Sequence, residues 1–218
     1  NWPELCAMLW KNKTLVCKRN GGSGGSGVYL VQSQAELERA VSEIFRTSRS
    51  MAVSPFYEII NEYRAVILCG EVRLIYNKIR PYVTGDGGKT VFELMAQKFG
   101  PSASQIEVTA ELDAVPPDGQ RFNLGWKHNL GRGSVSAPVA DADLLEKLSR
   151  LAAEAAQALK IKFASVDIIQ TTADEEVEER YMVLEINSGI MMEKFAASGR
   201  DNYLAAKKIY SDAVELYF

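Results

Sequence analysis

The chain is short of the residues that staple or anchor a protein. Its 218 residues include three cysteines, Cys6, Cys17 and Cys69. That odd and widely spaced set fits buried free thiols in a reducing compartment better than a disulfide framework or a metal site. There is one histidine, His128, so no Ser/His or Cys/His machinery can be assembled without it; in its glycine-flanked basic loop it reads as a polar loop residue. No apolar run reaches membrane-spanning length and no signal peptide opens the chain, so a cytoplasmic protein without a membrane partner is expected. Lys plus Arg at 25 against Asp plus Glu at 28 gives a net charge of −3, which argues against a broad nucleic-acid-binding surface. The first residue is Asn1 rather than methionine, which reads as a fragment lacking upstream sequence. No internal repeat is evident. What is present, 47% apolar and 24% charged residues, is enough for one large domain or two small ones with a sizeable core.

Strand-like runs fall near residues 14–19, 28–32, 50–57, 62–69, 71–80, 163–170 and 180–187, several alternating β-branched or aromatic residues with polar ones. Ser33-x-x-Glu36 and Thr90-x-x-Glu93 are capping-box patterns that open helices ending near Arg46 and Phe99. An Ala/Leu-rich stretch from Asp141 to Leu159 predicts a longer helix, and another runs from Asn202 to the C-terminus. Cys69-Gly70 reads as a hairpin turn, and the acidic run Asp174 to Glu179 as a solvated hairpin tip. Strands paired through hairpins, with helices between groups of them, indicate an α+β fold.

Several constellations could carry chemistry. A β-type run ends in Lys18, a loop of five glycines and two serines follows over residues 21–27, and a second run starts at Val28. Glycines let successive backbone N–H groups approach an anion, and a strand-end lysine adds a point charge; the same composition is also that of a flexible linker. On the late strands Glu185 and Asn187 share a face, with Leu184 and Ile186 opposite, in apolar packing. If the strand carrying Asp167 pairs with them, two carboxylates and an amide oxygen converge, hard donors that suit Mg²⁺. An exposed polar sheet face is the other reading. Glu62 and Arg64 share a face after a connector at Pro55, where Glu62 could meet ribose hydroxyls and Phe56 and Tyr57 an adenine. Lys78 and Arg80 place two cations on one strand face. Gly85 to Thr90 is not a Walker loop, because the glycine required five residues before Gly88 is Val83; it reads as a turn capping the next helix.

Taken in order, these pieces resemble the ATP-grasp superfamily: a strand-end lysine, a Gly/Ser flap, a hinge followed by Glu-x-Arg, a strand arginine, an Asn-Leu-x-x-Gly loop at Asn129, then Asp and Glu-x-Asn on late strands. Within it the likeness is to the amino-acid ligase branch, which includes cyanophycin synthetase, ribosomal-protein glutamate ligases and bacterial glutathione synthetases. The segment Arg80-Pro-Tyr-Val-Thr-Gly-Asp-Gly-Gly-Lys-Thr-Val-Phe-Glu-Leu94 carries much of it, and the likeness runs from Lys13 to Phe218. With that context the flap reading of residues 21–27 outweighs the linker reading.

The resemblance implies two α+β subdomains with mainly antiparallel sheets clasping ATP. Residues 1–57 would be the smaller, with the flap over 14–32 and the hinge at 54–57; residues 58–218 would be the larger, with the metal-binding strands. It implies that Lys18 and the flap residues Gly22, Ser23, Gly24, Gly25, Ser26 and Gly27 hold phosphates. Phe56 and Tyr57 would border adenine and Glu62 would bind ribose, while Asp167, Glu185 and Asn187 hold Mg²⁺. Arg80, Lys78 and Asn129 would act on the transferred group. The implied activity is an ATP- and Mg²⁺-dependent carboxylate–amine ligase forming a peptide-type bond through an acyl phosphate, with small-molecule carboxylate and amine substrates, amino acids or peptides, and compatible with a homodimer. Alternatives are a nucleotide-binding module without ligase activity and a ligase with a thiol acceptor. Two departures stand out. The arginine that such sequences carry four residues before the loop asparagine is Gly125 here, with Lys127 nearby. The N-terminal domain usual in these enzymes is not visible before Lys13, so the chain reads as the catalytic half of a longer enzyme.

Overall fold

A computed structural model describes residues 1–20, 25–172 and 180–217. Among them the contacts divide into two units, Asn1–Glu58 and Ile59–Phe218.

In the first unit Asn1 caps α1 (Trp2–Asn12), its side chain accepting from the Glu4 amide at 3.1 Å. Three strands follow the order β2-β1-β3, all antiparallel: β1 (Leu15–Arg19), β2 (Val28–Val31) and β3 (Met51–Pro55). Pro55 ends β3 on the sheet edge, where a missing N–H is tolerated. Between β2 and β3 lies α2 (Gln34–Thr47), opened by a full capping box in which Ser33 and Glu36 satisfy each other's backbone N–H groups. Its residues Leu37, Ala40 and Ile44 recur at helical spacing and pack on Leu15, Cys17 and Val31 of the sheet and Leu9 of α1. Alternation along β1 therefore turns Lys18 to the face away from this core.

The second unit is built on a five-stranded antiparallel sheet with the order β10-β9-β4-β5-β8. Its strands are β4 (Ile59–Leu68), β5 (Glu71–Ile79), β8 (Val135–Pro138), β9 (Phe163–Thr171) and β10 (Arg180–Asn187). A two-stranded ribbon, β6 (Tyr82–Thr84) with β7 (Arg121–Asn123), carries α3 (Val91–Phe99). The β4–β5 turn has φ of 51° at Cys69 and 86° at Gly70, the left-handed pair of a tight hairpin. Helix α4 (Ala142–Ala158), capped by Asp141, lays Leu148, Ala152 and Ala156 on one sheet face against Tyr63, Ala65, Ile67, Ala164, Val166 and Ile168. Two alanines on that stripe let the helix approach the sheet closely. On the other face, α5 (Glu193–Ala196) and α6 (Arg200–Tyr217) cover one end through Phe195, Ala206 and Ile209, with Phe195 stacked 4.7 Å from the Tyr76 ring. The rest of that face carries the charged residues described below. Among the described residues no helix is long and apolar enough to cross a membrane.

Three expectations are corrected. Cys69 is exposed rather than buried, because the apolar run it ends is followed by the turn; Cys6, Cys17 and Cys69 are all free. A register shift between Val183 and Glu185 breaks the alternation on β10, so Leu184 is 40% exposed instead of packed. Helix α1 and the short strands β6, β7 and β8 were not anticipated. His128 is buried, not an open loop residue. The turn at Gly85 to Thr90 is as expected: Asp86 accepts from the Gly88 and Lys89 amides, and Thr90 and Glu93 form a capping box. The acidic run Asp174 to Glu179 lies outside the described residues.

Candidate active site

The sheet of the second unit brings its polar residues into two adjacent rows. Cross-strand pairing sets Glu62 of β4 opposite Lys78 of β5, and Arg64 of β4 opposite Asp167 of β9, which in turn faces Glu185 of β10. Since residues two apart share a face, Glu62, Arg64, Lys78 and Asp167 form one cluster. Arg64 grips Asp167 with both ends of its fork, Nε to Oδ1 and Nη2 to Oδ2 at 2.7 Å each. Lys78 Nζ lies 3.0 Å from Asp167 Oδ2 and forms an ion pair with Glu62.

The cluster is buried: Glu62 is 6%, Lys78 5% and Asp167 1% exposed. This is not the solvated polar face that alternation alone allowed. With both carboxylates ionised, two anions against two cations leave no net charge, the condition on which ions tolerate such burial. Burial opposes ionisation of Asp167, but Lys78 and Arg64 outweigh it and hold its pKa down to about 2. Glu62 is pushed up to about 7, because burial outweighs the pull of Lys78 and nearby Asp167 adds repulsion.

Glu185 and Asn187, half-buried on β10, complete the face, with Asn187 Nδ2 donating to Glu185 Oε1 at 3.1 Å. Among the described residues no group of three His, Cys, Asp or Glu side chains that could hold a metal ion is found. The candidate set is two carboxylates and an amide, which suits an ion that keeps several waters and binds substrate phosphates. The repulsion between Glu62 and Asp167 is already met by Arg64 and Lys78, so an ion at Asp167 would compete with protein cations.

In the first unit, Lys18 and the β1–β2 connection form the other half of the expected set. Gly25 and Gly27 have φ of 69° and 71°, backbone that glycine adopts without strain; Ser26 sits between them, and Gly22, Ser23 and Gly24 lie outside the described residues. Phe56 is half-buried and tied by its amide to the Thr14 carbonyl at 3.1 Å, and Tyr57 is exposed.

Two further candidates lie beyond the paired strands of the cluster. Asn129 caps a short helical turn, its Oδ1 accepting from the Gly131 amide at 2.8 Å. Arg80 lies one residue past the end of β5, so the alternation expected to align it with Lys78 does not reach it; it lines a cavity together with Lys78 and His128. Lys127 forms an ion pair with Glu107 through both carboxylate oxygens at 2.8 Å. A Cβ at Gly125 would sit 2.6 Å from the Glu107 carbonyl oxygen, so this backbone excludes an arginine there. Reading the sequence missed Arg64 as the partner of Asp167, although Glu62-x-Arg64 put it on the right face, and missed the burial of His128.

The fold has counterparts among solved structures. The chain matches the D-alanine–D-alanine ligase from Bacillus anthracis complexed with ATP over 99% of its length and 56% of that chain, with a TM-score of 0.55 and 16% identity. The fold is ATP-grasp. In sequence the chain is 26% identical over 228 residues to the glutathione biosynthesis bifunctional protein GshAB of Streptococcus thermophilus, covering 91% of this chain and 30% of that one. It is 24% identical over 206 residues to the cyanophycin synthetase of Trichormus variabilis, covering 85% of this chain and 22% of that one. The chain thus spans less than a third of the length of these curated relatives. A scan against models of known protein families finds no match.

Proposed function

We propose that the chain is the ATP-grasp portion of an ATP- and Mg²⁺-dependent carboxylate–amine ligase. The observation that carries this reading is the buried Glu62–Lys78–Asp167–Arg64 cluster, flanked by Glu185 and Asn187, on the face of an ATP-grasp sheet left open by α4. In the reaction class, a substrate carboxylate takes the γ-phosphoryl group with release of ADP, and an amine then displaces phosphate to form the amide. Such a transfer needs charge neutralisation and positioning more than covalent help from the protein.

In this reading Lys18 and the backbone at Gly25 to Gly27 contact phosphates, Phe56 and Tyr57 border the base, and Glu62 meets the ribose. Asp167, Glu185 and Asn187 would hold Mg²⁺, which when bound supplies neutralisation of phosphate charge. Lys78 and Arg64 keep Asp167 ionised, so it stays an oxygen donor across the neutral pH range. A nucleotide-binding module without ligase activity is the second reading, favoured by the engagement of Lys127 with Glu107 where an arginine is missing at Gly125.

The test is ADP release with a pool of carboxylates and hydroxylamine as amine, reading hydroxamate. Hydroxamate and ADP in equal amounts, both lost in Glu185→Gln with the fold unchanged, support the ligase. Nucleotide binding by calorimetry with no hydroxamate from any carboxylate supports the second reading. Full turnover by Glu185→Gln removes the metal assignment.

A further inference from the structure

Asp167 is the one oxygen donor of the expected metal set whose both oxygens are held by cations of the protein. Its Oδ1 accepts from Arg64 Nε, and its Oδ2 from Arg64 Nη2 with Lys78 Nζ beside it. With 1% of Asp167 exposed, an ion reaches this carboxylate only by displacing one of those partners. Glu185 and Asn187 stand differently. They lie half-buried on the edge strand β10, opposite Asp167 and Ser165 in register. The expected ligand set is therefore split, two members within reach and the third closed off.

The two cations that close it are not equivalent. The Lys78 side chain is 6% exposed and bridges Glu62 and Asp167, so withdrawing it would strip both buried carboxylates at once. Removing one side of such a buried pair is strongly unfavourable. The Arg64 side chain is 22% exposed, and its fork engages Asp167. Its departure uncovers Asp167 and leaves Lys78 in place to balance the site. A guanidinium also fits phosphate oxygens as well as it fits a carboxylate, so phosphates offer Arg64 another partner that a bare divalent ion does not.

We propose that Arg64 holds the metal's place at Asp167: its fork closes the carboxylate until Mg²⁺ arrives bound to nucleotide phosphates, and only then lets go. The assignment rests on the ligase reading and adds an order to it, metal with nucleotide rather than metal first. A ligand shifts such an equilibrium only by its differential affinity for the two arrangements. A divalent ion alone must displace a charge-assisted two-bond contact with nothing returned to Arg64. Phosphates that carry the ion return an anion to it.

The probe is Mn²⁺, a hard ion that takes the same oxygen donors as Mg²⁺, titrated into the chain without nucleotide while its free signal is followed by electron paramagnetic resonance. Arg64→Gln, which keeps an N–H donor for Asp167 without charge or fork, should bind Mn²⁺ about tenfold or more tightly than the unaltered chain. Adding Glu185→Gln should abolish that gain, as expected of an ion on this face. Arg64→Lys keeps the charge without the fork and should give a smaller gain; it stands in where Arg64→Gln does not fold by circular dichroism. In the unaltered chain the Arg64 Nε–H resonance, identified by its loss in Arg64→Lys, should shift when Mg²⁺ and ADP are both bound and stay in place with Mg²⁺ alone. The proposal is overturned if neither variant gains Mn²⁺ affinity, if the gain survives Glu185→Gln, or if the Nε–H resonance moves with Mg²⁺ alone or stays in place with both bound. A gain in Mn²⁺ affinity without hydroxamate formation would sink the ligase reading and keep the exchange at Asp167; hydroxamate formation with no gain would do the reverse.

Discussion

Replacing Lys78 with methionine tests whether the buried cluster is held by charge balance. Methionine keeps most of the side-chain volume, so packing changes little, but Glu62 loses its cation while Asp167 keeps the two-pronged grip of Arg64. Breaking a buried pair from one side costs about 3–5 kcal/mol when the remaining charge stays ionised. Glu62 already sits at about 7 because of burial, with Lys78 pulling it down, so without Lys78 it moves higher. Its folded pKa then exceeds the unfolded value by more, the folded state binds the extra proton, and stability falls as pH rises toward the folded pKa. The loss in Lys78→Met should therefore be small near pH 5.5, where Glu62 is neutral, and grow to the full few kcal/mol near pH 8.5. Urea unfolding of both proteins at the two pH values measures it. Adding Glu62→Gln should recover much of the loss at the higher pH. An equal loss at both, or no recovery in the double variant, would refute charge balance as the reason these residues tolerate burial.

Other outcomes follow from single features. Glu185→Gln should abolish Mg²⁺-dependent ADP release while shifting the melting temperature little, since Glu185 is half-buried on an edge strand; an enzyme assay with and without Mg²⁺ alongside calorimetry separates the effects. Leu148→Ala removes a fully buried side chain between α4 and the sheet and should cost about 2–5 kcal/mol by chemical denaturation. Gly125→Ala forces a methyl onto the Glu107 carbonyl oxygen and should cost about 1–3 kcal/mol, with no gain of activity. Asp167 has a folded pKa of about 2, below its unfolded value, so its stabilisation is present above about pH 4. It is lost as pH falls through 2; Asp167→Asn should flatten that acid limb of the unfolding curve.

How far the residues announced this site depends on what decides each one. Strand alternation is local, so Glu62 with Arg64 and Glu185 with Asn187 were legible as pairs on one face, and both capping boxes were legible because their partners lie three residues apart. The pairing of Arg64 with Asp167 depends on register between strands a hundred residues apart in sequence, which no local pattern fixes. The same limit explains why Lys78 was read only as a cation aligned with Arg80: the carboxylates that pair with it, Glu62 and Asp167, lie on neighbouring strands. His128 is the sharpest case. A lone histidine among glycines and basic residues looks like surface, yet the Lys78 carbonyl fixes its ring and the cavity wall closes over Nε2. What a sequence hides is thus the identity of the partner rather than the type of group, and catalytic sites, assembled from partners distant along the chain, are where that loss is greatest. Lys127 shows the same from the other side: proximity to the loop suggested a substitute for the missing arginine, and Glu107, twenty residues upstream, already engages its charge.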